Sequence, residues 1–255
     1  MPTLSARALA GIPQLHAGDD LAELILAAAT TNGQAPHAGQ VLTIAHTAVS
    51  KVEGATVALV DIEPSARAHE LAEALGKDPR MVEVVLSQTS EVMRAERGVL
   101  ICRTRHGLVC ANAGVDASNA GDDGQTLVLQ PADPDASARA LRARLAELLG
   151  GPAPAILISD TFGRAWRQGQ VDVAIGLAGL QPLEDWRGRR DEAGLELHAT
   201  WLAVADAAAA AADLARAKDS GEPVVVLDGL ERFVSLADGP GAAALMRAPA
   251  EDLFL

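Results

Sequence analysis

Ala155-Ile156-Leu157-Ile158 runs straight into Ser159-Asp160-Thr161-Phe162-Gly163-Arg164-Ala165-Trp166-Arg167-Gln168-Gly169, and a second apolar run begins at Val171. A short buried strand that opens into a polar loop is how a fold presents chemistry. In this loop an Asp and a Thr are adjacent, arginines follow at 164 and 167, and glycines at 163 and 169 let a backbone approach a ligand. Oxygen ligands beside guanidinium groups suit a hard metal ion and a phosphate. Taken alone, the same residues serve equally well as turn caps on a surface loop. The chain carries no P-loop glycine pattern and no uniform βαβ repeat. Hairpin-like strand pairs alternate with helix pairs instead, which predicts an α+β fold: mixed, largely antiparallel sheets with flanking helices in two intimate lobes.

A chain of 255 residues with 49% hydrophobic content can bury a substantial core. With 3 Trp, 3 Phe and no Tyr, it offers few platforms for stacking bases, and a formal charge of −13 opposes a polyanion. Nucleic acid is therefore not the expected partner, although a local basic pocket for one nucleotide remains compatible with that balance. Glu23 interrupts the first apolar segment and Asp206 sits inside the Ala-rich one, so neither reaches membrane-spanning length. Residues 1–10 lack the basic and apolar regions of a secretory signal, and a soluble cytoplasmic protein is expected. Cys102 and Cys110 can face each other across a hairpin turning at His106-Gly107, as reduced structural thiols.

A second stretch, Val109-Cys110-Ala111-Asn112-Ala113-Gly114-Val115-Asp116-Ala117-Ser118-Asn119, repeats the arrangement of an apolar run opening into Asn, Gly, Asp and Asn. Three further pieces stand out: Gly11-Ile12-Pro13 followed by Ala17-Gly18-Asp19-Asp20-Leu21, then Ser50-Lys51-Val52-Glu53-Gly54, then Val173-Ala174-Ile175-Gly176. Together these motifs resemble the coenzyme F420 γ-glutamyl ligase family, GTP-dependent enzymes that add L-glutamate to a deazaflavin precursor. The resemblance runs from Gly11 to Asp252-Leu253-Phe254.

It implies one ligase domain over 1–255 and an amide-forming reaction between L-glutamate and coenzyme F420-0, or its glutamylated forms, through an acyl phosphate. GTP would be co-substrate, with Mg2+ or Mn2+ as a pair of ions, K+ as an accessory, and a homodimer with sites near the subunit boundary. Carried over residue by residue, the resemblance puts Ile12, Pro13, Gln14, Leu15, His46, Thr47, Lys51, Asn119 and Lys218 at the nucleotide. It puts Asp116, Asp160 and Thr161 at the metal. Arg164 and Arg167 are the candidates for stabilising transferred charge, and no general base stands out.

The chain departs from the family pattern after its Ala-rich helix. Many members carry a glycine-rich loop with an acidic metal ligand there, whereas this chain reads Arg216-Ala217-Lys218-Asp219-Ser220-Gly221-Glu222. Lys218 stands in the acidic position, with Asp219 or Glu222 available to compensate. That departure keeps a rival open, a nucleotide-binding regulatory or assembly subunit without ligase turnover. A related ligase for another amino acid or acceptor is a further one. The flavin reductase domain of some relatives does not follow, so the standalone form is expected and no flavin chemistry.

Local patterns place the scaffold. A strand is expected at 4–9, a helix capped by Asp19 or Asp20 through Ala28, and strands at 41–49 and 56–62. Helices follow at 64–76 and 79–92, a hairpin at 99–103 and 108–111, and a short strand at 127–129. The helix over 137–149 shows an apolar side, with Arg139, Arg142 and Arg144 read as solvated. Gly176 and Gly179 point to close backbone packing in the run 171–180. The loop Asp185-Trp186-Arg187-Gly188-Arg189-Arg190-Asp191 carries enough positive charge to meet the precursor's phosphodiester. An Ala-rich helix over 202–218 and a last strand at 224–227 close the order.

Overall fold

Leu42, Ile44, Ile156, Ile158, Val224 and Val226 pack into one apolar cluster, while Val41, Ala155, Leu157, Val225 and Leu227 pack into another. Residues adjacent in sequence thus face opposite ways, the period-two signature of a strand buried on both faces. Each fully buried Leu or Ile contributes roughly 1.5–3 kcal/mol, so three such segments fix a central sheet.

The computed structural model describes residues 3–117, 125–217 and 219–252. The order opens with β1 (Ser5–Ala8), α1 (Leu21–Thr31), β2 (Val41–Ala45), α2 (His46–Val52) and β3 (Thr56–Ala58). The helix pair α3 (Ala66–Leu75) and α4 (Pro79–Ser87) leads into a meander of β4 (Thr89–Glu96), β5 (Val99–Thr104) and β6 (Val109–Ala111). Then come β7 (Thr126–Val128), the long helix α5 (Pro134–Leu149) and the extended hairpin β8 (Ala155–Arg164) and β9 (Arg167–Ala178). β10 (Leu183–Asp185), β11 (Trp201–Ala203), α6 (Val204–Asp213) and β12 (Val224–Asp228) complete it.

The central sheet has the order β1-β12-β2-β8-β9, with β2 and β8 parallel and every other pair antiparallel. Helices α1 and α5 pack on one of its faces and α6 on the other. A third cluster, built on Leu71, Val85, Leu100 and Leu127 among others, forms the smaller lobe around α3, α4 and the meander. The fold is therefore the α+β arrangement of mixed, largely antiparallel sheets that the sequence predicts. No helix of the described residues is long and apolar enough to cross a membrane.

Several caps are as read. The Asp20 side chain accepts from the Glu23 N–H, Ser65 and Asp133 cap α3 and α5 in the same way, and Gly76 ends α3 in the left-handed region. Gly176 lies against α5 so closely that a methyl there would sit 2.4 Å from the Pro134 carbonyl oxygen.

Other expectations need correction. The strand over 41–49 stops at Ala45 and turns into α2, so Lys51 rides on a helix. The strand over 56–62 ends at Ala58 in a tight 3-10 turn, and the helix expected to reach Val92 stops at Ser87, because β4 is claimed by pairing with β5. The Ala-rich helix is confined to Val204–Asp213, since Trp201–Ala203 pairs with β10. Asp160 and Thr161 lie not in a loop but within β8, opposite β9. Arg142 is 6% exposed rather than solvated; its guanidinium binds the carbonyls of Pro154, Ser235 and Leu236 and the Asp238 carboxylate.

Candidate functional site

Parallel β2 and β8 run towards the same end of the sheet, where β2 gives way to α2 beside the start of antiparallel β12 and β8 continues against β9. Sheet ends of this kind are where open α/β sheets bind ligands. A cleft of about 370 Å³ opens there, a small-molecule scale. Ile12, Pro13, Gln14 and Leu15 line it, as do His46, Thr47 and Lys51 of α2, then Asp116 from the smaller lobe and Asp160 and Thr161 from β8. Segments about 150 residues apart in sequence thus meet around one space.

Two local devices aim the β8 residues. A bulge in β9 lets Ile158 pair with Gly176 while Ser159 pairs with Ala174, so the strand is re-aimed at the site. Asp160 is then held from several sides. Its Oδ1 accepts from the Thr161 backbone N–H at 2.7 Å and lies 3.3 Å from His46 Nε2, and its Oδ2 accepts from Gln130 Nε2 at 2.7 Å. Burial pushes the Asp160 carboxyl up, but attraction to the His46 ring and these hydrogen bonds outweigh it, leaving the group below the ordinary carboxylate value. Asp160 is thereby kept as an anion in a place that would otherwise neutralise it.

The second stretch reaches the site through a left-handed turn. Asn112, Ala113 and Gly114 all have positive φ, and the Asp116 backbone pairs with Val128 in both directions, at 2.9 and 2.8 Å. That pairing anchors Asp116 where the smaller lobe borders the cleft. The other two cations expected at the chemistry are elsewhere. Arg164 and Arg167 stand at the exposed tip of the β8–β9 hairpin, where Arg164 donates to the Gln168 carbonyl beside the 84% exposed Trp166. Neither lines the cleft. Asn119 and Lys218 lie outside the described residues.

His46 faces inward more than its assignment to the nucleotide implies. It is 4% exposed, its Nε2 points at Asp160, and its Nδ1 has no hydrogen-bond partner among the described residues. The arginines of the loop 185–191 are used internally. Arg187 makes a bidentate pair with Asp185, Arg189 pairs with Glu184, and Arg190 donates to the Gly194 carbonyl.

Glu222, one of the two acids available to compensate for Lys218, lines the cleft. Residues with no role assigned from sequence complete the wall and floor: Ser159 and Arg216 line the cleft, Asp172 lies buried beneath it and Gln130 braces Asp160. Asp172 leaves one trace in the sequence, an acid one residue into an otherwise apolar run. A fully buried charge has to be paired. Gln130, between a short strand and Pro131, leaves none.

Among the described residues, no three His, Cys, Asp or Glu side chains come together as a ready-made metal site. The cleft instead offers the carboxylates of Asp116, Asp160 and Glu222 and the Thr161 hydroxyl. An ionised carboxylate has room for about four acceptor contacts, so Asp160 retains capacity beyond its present ones. This donor set fits a hard divalent ion that completes its shell with phosphate oxygens and water.

Residues 11–229 match the family model described as F420-0:Gamma-glutamyl ligase. A coenzyme F420:L-glutamate ligase of Methanopyrus kandleri is 46% identical over 256 aligned residues, covering 100% of this chain and 98% of that protein. One from Methanothermobacter thermautotrophicus is 44% identical, with 96% of each chain covered. One from Haloarcula marismortui is 38% identical over 96% of this chain and 93% of its own length.

Proposed function

The chain belongs to the F420-0:Gamma-glutamyl ligase family, and from that premise we propose that its cleft joins L-glutamate to coenzyme F420-0 at the expense of GTP. The observation that carries this reading is convergence: Lys51, Asp116, Asp160 and Thr161 come from separate segments and line one space with Ile12 to Leu15.

A carboxylate is a poor electrophile, so direct amide formation in water is uphill. In the proposed reaction the acceptor's carboxylate attacks the γ-phosphorus of GTP and GDP departs. The amine of glutamate then attacks the acyl phosphate carbonyl and phosphate departs. Lys51 is a compact point charge for the triphosphate, and Arg216 adds a planar guanidinium to the same wall. Asp116, Asp160 and Thr161 would hold Mg2+ or Mn2+. Once bound, such ions would neutralise charge on the phosphate oxygens. The apolar segment at Ile12 and Pro13 suits a base or ribose face better than a phosphate.

Incubation of the purified protein with F420-0, GTP, Mn2+ and L-glutamate tests the reading. GDP, phosphate and a product heavier by one glutamyl unit are expected by mass spectrometry. Tight GTP binding without precursor-dependent GDP release would replace the ligase with a regulatory or assembly subunit. A panel of amino acids in place of glutamate separates the proposed substrate from its analogues.

A further inference from the structure

Asp172 lies under the cleft rather than in it. The residue is 1% exposed, and it is the cross-strand partner of Thr161. Its Oδ1 accepts from the Thr161 hydroxyl at 2.7 Å, and its Oδ2 accepts from the Ser159 hydroxyl at 2.7 Å and from the Arg216 guanidinium. Arg216 also donates to Ser159 Oγ at 3.2 Å and to the Pro223 carbonyl at 3.3 Å.

An ionised carboxylate can only accept hydrogen bonds. The single proton of each hydroxyl is therefore spent on Asp172. Towards the cleft, the Thr161 oxygen can act only as an electron-pair donor, which is what a cation asks of a ligand. The same carboxylate compensates Arg216 and fixes the guanidinium against the cleft wall. One buried group thus sets both the polarity of a cation ligand and the place of an anion ligand.

We propose that Asp172 is the positioning residue of this site, acting through Thr161 and Arg216 without touching substrate. The proposal rests on the nucleotide-and-cation reading of the cleft. Asp172→Asn keeps the shape but exchanges one acceptor for an NH2 donor, so it cannot accept from Thr161, Ser159 and Arg216 together. Either the Thr161 hydroxyl turns to accept and sends its own proton towards the cleft, or Arg216 meets an N–H group. Both outcomes disturb ligand binding specifically, whereas an acid that merely held the fold would cost stability alone.

The test is Mn2+ binding, followed by the electron paramagnetic resonance signal of free Mn2+, with a non-hydrolysable GTP analogue at saturation. If the wild-type protein takes up no Mn2+, the nucleotide-and-cation reading itself fails, and the inference with it. If the wild type binds and Asp172→Asn binds equally well, only the positioning role is overturned. The expected result is Mn2+ affinity weaker by about 10–100-fold with the circular dichroism spectrum unchanged. Should Asp172→Asn not fold, Asp172→Asn with Arg216→Met removes the uncompensated guanidinium, and its reference is Arg216→Met alone. Weakening by about tenfold relative to that reference is expected, and equal affinity overturns the proposal. In a Thr161→Val background, adding Asp172→Asn should cost less than about threefold, because coupled residues do not add. Full additivity there would show that Asp172 does not act through Thr161.

Discussion

Gly114 shows how one missing methyl group reaches the site. Its φ is +70°, and a Cβ built there would lie 2.3 Å from Gln130 Nε2 and 2.5 Å from Gln130 Cδ. Gln130 occupies that clearance and donates to Asp160, so the glycine of one motif supports the aspartate of the other. Gly114→Ala must displace the amide as well as strain the backbone. We expect a stability loss of roughly 1–3 kcal/mol from the broken hydrogen bond and the left-handed alanine. Turnover should fall about tenfold or more through the freed Asp160. Thermal unfolding and GDP release measure the two, and a variant with normal values for both would mean that Gln130 braces nothing. At this scale the sequence was a good guide to groups with chemistry of their own: Lys51, Asp116, Asp160 and Thr161 all line the cleft. It was a poor guide to groups whose role is to hold another. Gln130 and Asp172 gain meaning from a strand partner many positions away, and the arginines beside Asp160 in sequence were carried off by the hairpin.

Elements were legible where local pattern and tertiary pairing agree. The β5–β6 hairpin sets Cys102 opposite Cys110, as the sequence around His106-Gly107 suggests, and both thiols are buried and free. Burial, then the charge of Asp160 and the neighbouring Cys102, pushes Cys110 up to about 12. Iodoacetamide at pH 8 should therefore leave Cys110 unmodified in the folded protein and label it after unfolding, by peptide mass spectrometry. Rapid labelling of the native protein would contradict this packing. The pattern misled at residues 46–49, where Thr47 and Val49 favour a strand, and docking of Ala48 and Val49 into the core makes a helix instead. At the far edge of the sheet, Asp228 of β12 accepts from Arg7 and Ser5 of β1 and from Gln40. Burial raises its carboxyl, but these contacts outweigh it and hold the group below the ordinary 3.8. A depressed folded value means that the contribution is complete above that ordinary value and is lost as pH falls through the folded one. Asp228→Asn should cost about 1–2 kcal/mol at pH 7 and less at pH 3, in urea unfolding at both. An equal loss at both values would show that the carboxylate charge is irrelevant there.

Over the whole molecule, the cleft is made from parts that nothing but the complete fold brings together. The wall at residues 12–15 precedes α1, Asp116 belongs to the smaller lobe, and residues 216–223 lead into β12. Arg142 of α5 ties in the segment 235–238 as well, a long-range clasp that helical periodicity reads only as one more charge on a polar face. The α+β class was readable because alternating apolar runs announce strands wherever they pair. The meeting of their ends was not, since it depends on sheet order. The consequence can be measured. A ligand of this cleft has no competent site on the unfolded chain, so binding should appear undiminished as stability. With a non-hydrolysable GTP analogue and Mn2+ at about 100 times the dissociation constant, the gain is roughly 2.7 kcal/mol. For a chain of 255 residues that corresponds to a rise in melting temperature of roughly 5–10 °C. The rise should apply to both lobes in a single calorimetric transition, because Asp116 and Asp160 lie on different sides of the cleft. Asp160→Asn should lose most of it at the same concentrations. If two transitions appear and only one moves with ligand, or if Asp160→Asn is stabilised as much as the wild type, the cleft does not bind across the lobes.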